Sequence, residues 1–384
     1  MCTKDVIDDF RKCRLLSMRK AVAALALWLS VLLGMVPLAH AAGFADPLDT
    51  AAVQQSQSAD HLPVQALAGL GGGQLIAVGM RGVILRSVDS GGTWHQVPAP
   101  VSSDLLDVCF ASPKRGWVVG QDGVVLASTD GGRTWHKQFD GRELESLLNY
   151  YREDQRIDPE RREELVRQLE LNLGAGPVLP FLSVQFIDSD SGLASGPFGM
   201  LIASEDGGRH WRPAMHQIDN PDYLHLNAIA RVGDHLFIAS EQGIVFKAKA
   251  DVRELHFEPR ETGHVGSFFS IAGHDQVLLA GGLGGVLFGS HDGGDSWRPL
   301  ATSLTQLVSN IEFDADSDRF TAVTTGGEVL SLSADLSDIQ LRDSQAPMLY
   351  TDLVSLPGGG VVFAGIQGLR HDTQSAMLAQ GDEQ

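Results

Sequence analysis

Short apolar runs recur along this chain, each bounded by glycine or by a cluster of polar turn residues. Residues 106–138 hold four of them in close succession: LDVCF (106–110), GWVVG (116–120), VVLAS (124–128) and TWHKQ (134–138). Each is apolar on at least one side and too short for a stable helix, so each predicts a β-strand. The same order of runs returns along the chain. A glycine turn followed by an apolar strand appears as AVGMRGVIL (77–85), VVGQDGVVL (118–126), ASGPFGMLI (194–202), ASEQGIVF (239–246), AGGLGGVLF (280–288), AVTTGGEVL (322–330) and AGIQGLR (364–370). The closing glycines, Gly82, Gly123, Gly199, Gly243, Gly285, Gly327 and Gly368, are separated by 41, 76, 44, 42, 42 and 41 residues. This is a seven-fold repeat with one insertion. A period near 42 with four short strands predicts an all-β fold: a seven-bladed β-propeller of four-stranded antiparallel blades, over residues 61–384. Ring closure calls for a strand from one end of the chain, and residues 44–60 or 375–380 could supply it.

A second motif accompanies the first. SVDSGGTW (87–94), STDGGRTW (128–135), SEDGGRHW (204–211) and SHDGGDSW (290–297) follow S-x-D-x-G-x-[TS]-W, with His210 departing in the third copy. Repeats four, six and seven lack it; residues 331–341, for example, read SLSADLSDIQL. The aspartates Asp89, Asp130, Asp206 and Asp292 suit an Asx turn that accepts backbone N–H groups. The glycines allow positive φ, and Trp94, Trp135, Trp211 and Trp297 suit burial against a sheet. Structure explains every position of this Asp box, so no metal or catalytic role is assigned to it. In a four-stranded antiparallel blade, the G-x-x-G turns and the Asp boxes lie on opposite faces of the ring. The residues inside the G-x-x-G turns vary while the frame stays constant, as a recognition surface would. Met80, Arg81, Gln121, Asp122, Phe198, Gln242 and Gln367 are therefore candidate partner-binding residues. No helix follows these turns, so they are not phosphate loops.

The insertion, residues 139–177, changes period. Leu144, Leu147, Leu148 and Tyr151 recur at helical spacing, and Leu165, Leu169 and Leu173 do so after Asp158-Pro159, a helix start. A helical hairpin between blades 2 and 3 is predicted, emerging on the G-x-x-G face. It holds ten acidic residues beside its arginines, so part of it is a solvated, ion-paired surface. Arg152, Arg156, Arg161 and Arg162 join the candidate partner-binding set.

At the N-terminus, Arg19 and Lys20 precede the apolar run 21–36, and Ala39-His40-Ala41 follows. This is the layout of a secretory signal peptide cleaved after Ala41, with an uncleaved membrane anchor as the alternative reading and Met18 as an alternative start. Residues 42–60 would then form an N-terminal segment before the propeller. A periplasmic or otherwise exported location is expected. The whole chain has a net charge of −19, and the leader is its basic part, so the mature protein is more acidic still. That sign argues against nucleic acid and anionic lipid as partners. Cys2 and Cys13 leave with the leader. Cys109, in LDVCF, is expected to be a small buried hydrophobe. Asp188-Ser189-Asp190 and Asp314–Asp318 resemble the start of a calcium loop, but Arg319 and Thr325 stand where glycine and glutamate would be needed. Both runs are expected to be hairpin turns. No metal and no cofactor is predicted.

The unit G-x-x-G-x-hydrophobic-x-x-[ST]-x-D-G-G-x-x-W, best seen in VGQDGVVLASTDGGRTW and VGMRGVILRSVDSGGTW, resembles the repeat of the photosystem II stability and assembly factor family. The resemblance spans roughly residues 60–370 apart from the insertion. It implies a non-catalytic propeller, of the type also present in non-photosynthetic bacteria, that serves as a protein-binding scaffold for a membrane-complex subunit. Photosynthetic members of that family are associated with an arginine-rich patch. Here Arg81 is the only arginine in the seven turns, so no binding residues are carried over. Asp boxes also occur in sialidases, and a sialidase-like glycosidase or a glycan-binding protein is the alternative. Such an enzyme needs an arginine cluster and a tyrosine nucleophile with a glutamate base. The tyrosines are Tyr150, Tyr151, Tyr223 and Tyr350; the pair beside Glu153 lies in the insertion, and no R-I-P, H-E-x-x-H or G-x-S-x-G motif is present.

Overall fold

A computed structural model describes residues 45–173, 176, 179–342 and 347–372. The signal-like run, its cleavage motif and residues 375–380 lie outside these. The described chain forms seven antiparallel sheets whose strands pair in chain order. Blade 1 comprises β1 (Val64–Gly71), β2 (Gln74–Gly79), β3 (Ile84–Ser87) and β4 (His95–Val97). Blade 2 comprises β5 (Leu105–Phe110), β6 (Gly116–Gly120), β7 (Val125–Ser128) and β8 (His136–Phe139). Blade 3 runs from β9 (Ser183–Phe186) through β10 (Gly192–Ser195) and β11 (Leu201–Ser204) to β12 (Arg212–Pro213). Blade 4 holds β13 (Leu226–Val232), β14 (His235–Ser240), β15 (Ile244–Lys249) and β16 (Glu258–Glu261). Blade 5 holds β17 (Phe268–His274), β18 (Val277–Gly282), β19 (Leu287–Ser290) and β20 (Arg298–Pro299). Blade 6 holds β21 (Val308–Asp314), β22 (Arg319–Thr324), β23 (Val329–Ser333) and β24 (Ile339–Arg342). Blade 7 has three strands among the described residues, β25 (Tyr350–Ser355), β26 (Val361–Gly365) and β27 (Gly368–Asp372).

The burial pattern follows from a sheet being sandwiched between its two neighbours. The second strand of a blade is covered on both sides, which is why GWVVG and GLAS are buried at every position instead of alternating. The outermost strands are polar and largely exposed, as in Glu258–Glu261. The innermost strands β1, β5, β13, β17, β21 and β25 each carry a register shift at their start, so the residue after this bulge turns toward the next blade.

Of the two routes predicted for ring closure, residues 375–380 fall outside the described residues, and residues 45–60 add no strand to blade 7. Instead Ala52 N donates to Ala99 O and Ser102 N to Pro47 O, so this stretch lies along the link between blades 1 and 2. Residues 59–61 form a short 3₁₀ turn, and Gly368 of blade 7 packs against the backbone of Asp60 and His61. Side chains complete the seam: Thr351 Oγ1 donates to Val64 O (2.9 Å), and Asp352 Oδ2 accepts from Leu67 N (2.6 Å).

The insertion is a helical hairpin, α1 (Leu144–Glu153) and α2 (Pro159–Leu173). Asp158 starts α2, its Oδ1 accepting from Glu160 N (3.0 Å) and Arg161 N (3.2 Å). Leu147, Leu148, Tyr151, Leu165 and Leu169 are buried and share one core with Phe181, Ala214, Met215 and Ile218 of the blade 3 region. The insertion leaves and rejoins the ring at the G-x-x-G turn of blade 2, where Gly123 touches both Gly141 and Leu179. The hairpin then leans outward. It packs on the outer strand of blade 3, so its body lies at the rim and not over the G-x-x-G face, as the strand order alone had suggested. The loop between α1 and α2 passes beside Glu205 and Arg253, which belong to turns between third and fourth strands.

Candidate functional site: two faces, a channel and a cleft

The Asp boxes are bolts between blades. In blade 2, Ser128 Oγ donates to Asp130 Oδ1 (2.9 Å) and accepts from Gly132 N (2.9 Å). Asp130 Oδ1 accepts from Thr134 N (3.0 Å), and its Oδ2 from Thr134 Oγ1 (2.7 Å). Trp135 Nε1 donates to Gly132 O (3.2 Å). Gly132 has φ +74°, and a side chain there would strike Ile76 on the second strand of blade 1. Trp135 is 5% exposed and shares a core with Leu70 and Ile76, so the tryptophan packs toward the preceding blade. Asp89 and Asp292 have the same bonds. In the third box His210 Nδ1 takes the hydroxyl's place beside Asp206 Oδ2 (2.6 Å). These carboxylates are occupied by their own loops. The backbone N–H of Thr93 and then its hydroxyl hold Asp89 down to about 2. Trp94 is buried, whereas Trp211 and Trp297 are half-buried, and the indole N–H of Trp211 has no acceptor. Blade 6, which lacks the full motif, keeps half of it: Ser333 Oγ and Ser337 Oγ both donate to Asp335 Oδ1 (2.6 and 2.7 Å). The sequence signal was S-x-D-x-S, easily passed over without its glycines and tryptophan.

Both acidic runs are hairpin turns. Asp188 Oδ1 accepts from Asp190 N and Ser191 N, and Asp314 Oδ1 accepts from Asp316 N. Among the described residues no group of three or more His, Cys, Asp or Glu side chains is arranged to hold a metal ion. Cys109 is half-buried, and its burial, then the nearby Asp107, pushes its thiol far above the usual range.

The G-x-x-G turns share one construction. Each packs against the segment leading into the next blade, such as Gly243 (φ +70°) on the backbone of His264. The second inner residue takes the left-handed conformation in Arg81, Asp122, Phe198 and Gln242. Asp122 is partly used at home, accepting from Ser103 Oγ (2.7 Å), and Gln367 Oε1 accepts from Leu349 N (3.2 Å). Gln121 is half-buried; Arg81 and Gln242 are exposed. The unforeseen property of this face is apolar exposure. Met80, Phe198, Leu283 and Ile366, on blades 1, 3, 5 and 7, are 41%, 44%, 54% and 42% exposed. Val265, on the link between blades 4 and 5, is exposed as well.

The four candidate arginines of the hairpin divide into two pairs. Arg152 ties the helices together through Glu145 and Glu170, and Arg162 bonds Asp154 O. Arg156 and Arg161 instead face a cleft together with Arg212 and Arg253 from blades 3 and 4. Tyr151 is buried with its hydroxyl 3.3 Å from His216 Nδ1, Tyr350 is buried, and Tyr223 lies under the Arg161 guanidinium. Tyr150, which packs edge to face on Tyr151, joins Tyr151 and Tyr223 at the hairpin, and Tyr350 alone among the described tyrosines lies apart, in the core of blades 6 and 7.

The seven innermost strands line a channel of about 400 Å³. Three of its acids were missed at the sequence level: Asp107, Glu312 and Asp352. Asp107 Oδ2 accepts from Ser183 Oγ and Val184 N of blade 3 (both 2.8 Å). Glu312 Oε2 accepts from Ser355 N (2.7 Å) and Ser355 Oγ (2.9 Å) of blade 7. Asp352 joins Leu67 of blade 1 to Asn310 of blade 6. Each acid thus clasps an adjoining blade. Burial raises all three carboxyls, Glu312 to about 7.

Residues 76–154 match the family described as Photosynthesis system II assembly factor YCF48. No curated protein matches the chain. Among solved structures, "YCF48 bound to D1 peptide" aligns with TM-score 0.59 at 14% identity, covering 84% of this chain and 99% of that one. YCF48 from Cyanidioschyzon merolae aligns with TM-score 0.58, again at 14% identity over 84% and 99% of the two chains. The chain has the fold of these propellers, and residues 76–154, from the second strand of blade 1 through the first hairpin helix, resemble the assembly-factor family in sequence.

Proposed function

We propose that this protein is an exported, non-catalytic scaffold that binds a protein, a subunit of a membrane complex, and assists its assembly or stability. One observation carries the reading: four blades present large apolar side chains, Met80, Phe198, Leu283 and Ile366, on a single face. Apolar groups repeated around one face of a rigid ring suit a protein partner better than a polar ligand. The likeness to propellers of the YCF48 type, one of which is bound to a D1 peptide, supports a protein partner. The signal-like run 21–36 with Ala39-His40-Ala41 supports export. The Asp-box carboxylates bond their own loops, and burial pushes the Tyr151 hydroxyl well above the usual range, which favours a scaffold over a sialidase-like enzyme with a tyrosine nucleophile.

The test is in-cell crosslinking of the tagged protein followed by mass spectrometry. It compares wild type with a variant in which Met80, Phe198, Leu283 and Ile366 are all serine, and with one whose residues 142–178 are a short linker. A membrane-complex subunit captured by wild type and lost in the four-serine variant supports the proposal. Equal capture by wild type and the four-serine variant, both folded, overturns the assignment of the face.

A further inference from the structure

The cleft between the hairpin and blades 3 and 4, about 890 Å³, combines three features. First, it concentrates guanidinium groups in an otherwise acidic protein: Arg156, Arg161, Arg212 and Arg253 all line it. Second, two of the guanidiniums share one carboxylate. Asp154 is taken by Arg156 (2.7 Å), Glu164 by Arg161 (2.8 Å), and Asp158 by the start of α2. Glu205 alone faces both Arg212 (3.3 Å) and Arg253 (3.5 Å). Third, one guanidinium is held in place and another is open. Arg212 bonds Gln217 Oε1 (2.8 Å), Val252 O (2.9 Å) and Glu205, which fixes its plane. The Arg253 side chain is 77% exposed and, among the described residues, has the long contact to Glu205 as its one ion pair. His216 reports the local field: burial and then the charge of Arg212 hold it down to about 4, so it is neutral at pH 7.

A preset guanidinium beside an open one is a fork for a carboxylate, which two planar donors grip in matched geometry. A phosphate dianion suits the cleft less well, because Asp154, Asp158 and Glu205 stand around it. The cleft also has an apolar wall in Tyr150 and Ile157. We infer that this cleft is a binding site for a carboxylate borne next to an apolar group, gripped between Arg212 and Arg253. The source is either an acidic residue within a peptide or a free small dicarboxylate. The inference does not depend on occupation of the G-x-x-G face, which lies elsewhere on the ring.

Titration calorimetry on the folded mature protein tests it, using acetyl-Leu-Glu-Ala-amide, the same peptide with Gln for Glu, and glutarate. The expected result is saturable binding of a carboxylate probe, at least tenfold weaker binding of the Gln peptide, and a loss of at least fivefold in Arg253→Gln without a change in melting temperature. Glutarate binding as tightly as the Glu peptide, or in its place, assigns the free acid; glutarate binding tenfold more weakly assigns the peptide. Equal affinity for the Glu and Gln peptides, or no binding of any probe by protein with the native melting temperature, overturns the inference. So does an Arg253→Gln variant that binds like wild type.

Discussion

Glu312→Gln should stabilise this protein at neutral pH and leave it almost unchanged in mild acid. The carboxyl lies in the central channel, buried, with Ser355 N and Ser355 Oγ both directed at Oε2 and Asp314 adding repulsion. Burial raises it from its ordinary 4.5 to about 7. The folded state therefore holds a proton that the unfolded state has lost across the window from about pH 4.5 to 7. Stability is full below that window and falls as pH rises through it. A displacement of that size corresponds to about 3 kcal/mol once both states are ionised. Glutamine keeps the shape, accepts the same two bonds through its carbonyl, and has no proton to lose. Urea denaturation of both proteins from pH 4.5 to 8.5 would measure the effect. The curves should nearly coincide at pH 4.5 and separate by about 3 kcal/mol, with the variant more stable, at pH 8. Parallel curves across that range would show that Glu312 titrates alike in both states, and the account of the channel would fail.

Trp135→Ala should cost about 3–5 kcal/mol, read by thermal or urea unfolding, because the indole is a buried contact between blades 1 and 2; an unchanged melting temperature would refute it. Asp352→Ala leaves the N–H groups of Leu67 and Leu353 and the amide of Asn310 without their acceptor, so a loss of about 2–5 kcal/mol is expected at pH 5. Unfolding of that variant within 1 kcal/mol of wild type, on the order of one hydrogen bond, would mean the seam between blades 7 and 1 is held elsewhere. Asp89→Asn should flatten the acid limb of the stability curve. That carboxylate is held near 2, so its contribution exists above the unfolded value near 4 and disappears as pH falls toward 2. An acid limb identical to wild type would contradict it.

The ring was legible because its punctuation is forced by packing. Gly243 meets backbone and Gly132 meets a side chain of the neighbouring blade, so those glycines could be counted and spaced. The hairpin was legible too, since Leu147, Leu148, Tyr151, Leu165 and Leu169 mark its buried face. Its resting place was not, because helical period says which side is apolar and nothing about which blade receives it. The channel acids escaped for a related reason. Asp107 and Asp352 look like ordinary strand residues until the bulges bring them to equivalent places around the axis. The cleft required Arg212 and Arg253, distant in sequence from Arg156 and Arg161, and only the outward lean of the hairpin makes them neighbours.

Gly123 touches both Gly141, where the insertion departs, and Leu179, where it returns. The two ends of a long excursion therefore meet at one spot, and blades 2 and 3 connect as directly as any other pair. Such a junction is a graft point. Material can be gained, lost or exchanged there without disturbing the order of the ring, as domain insertions succeed where the entry and exit lie close together. Replacing the hairpin by an unrelated small domain with adjacent termini should leave the propeller intact. The inherited ring and its rim attachment are then free to change partners separately.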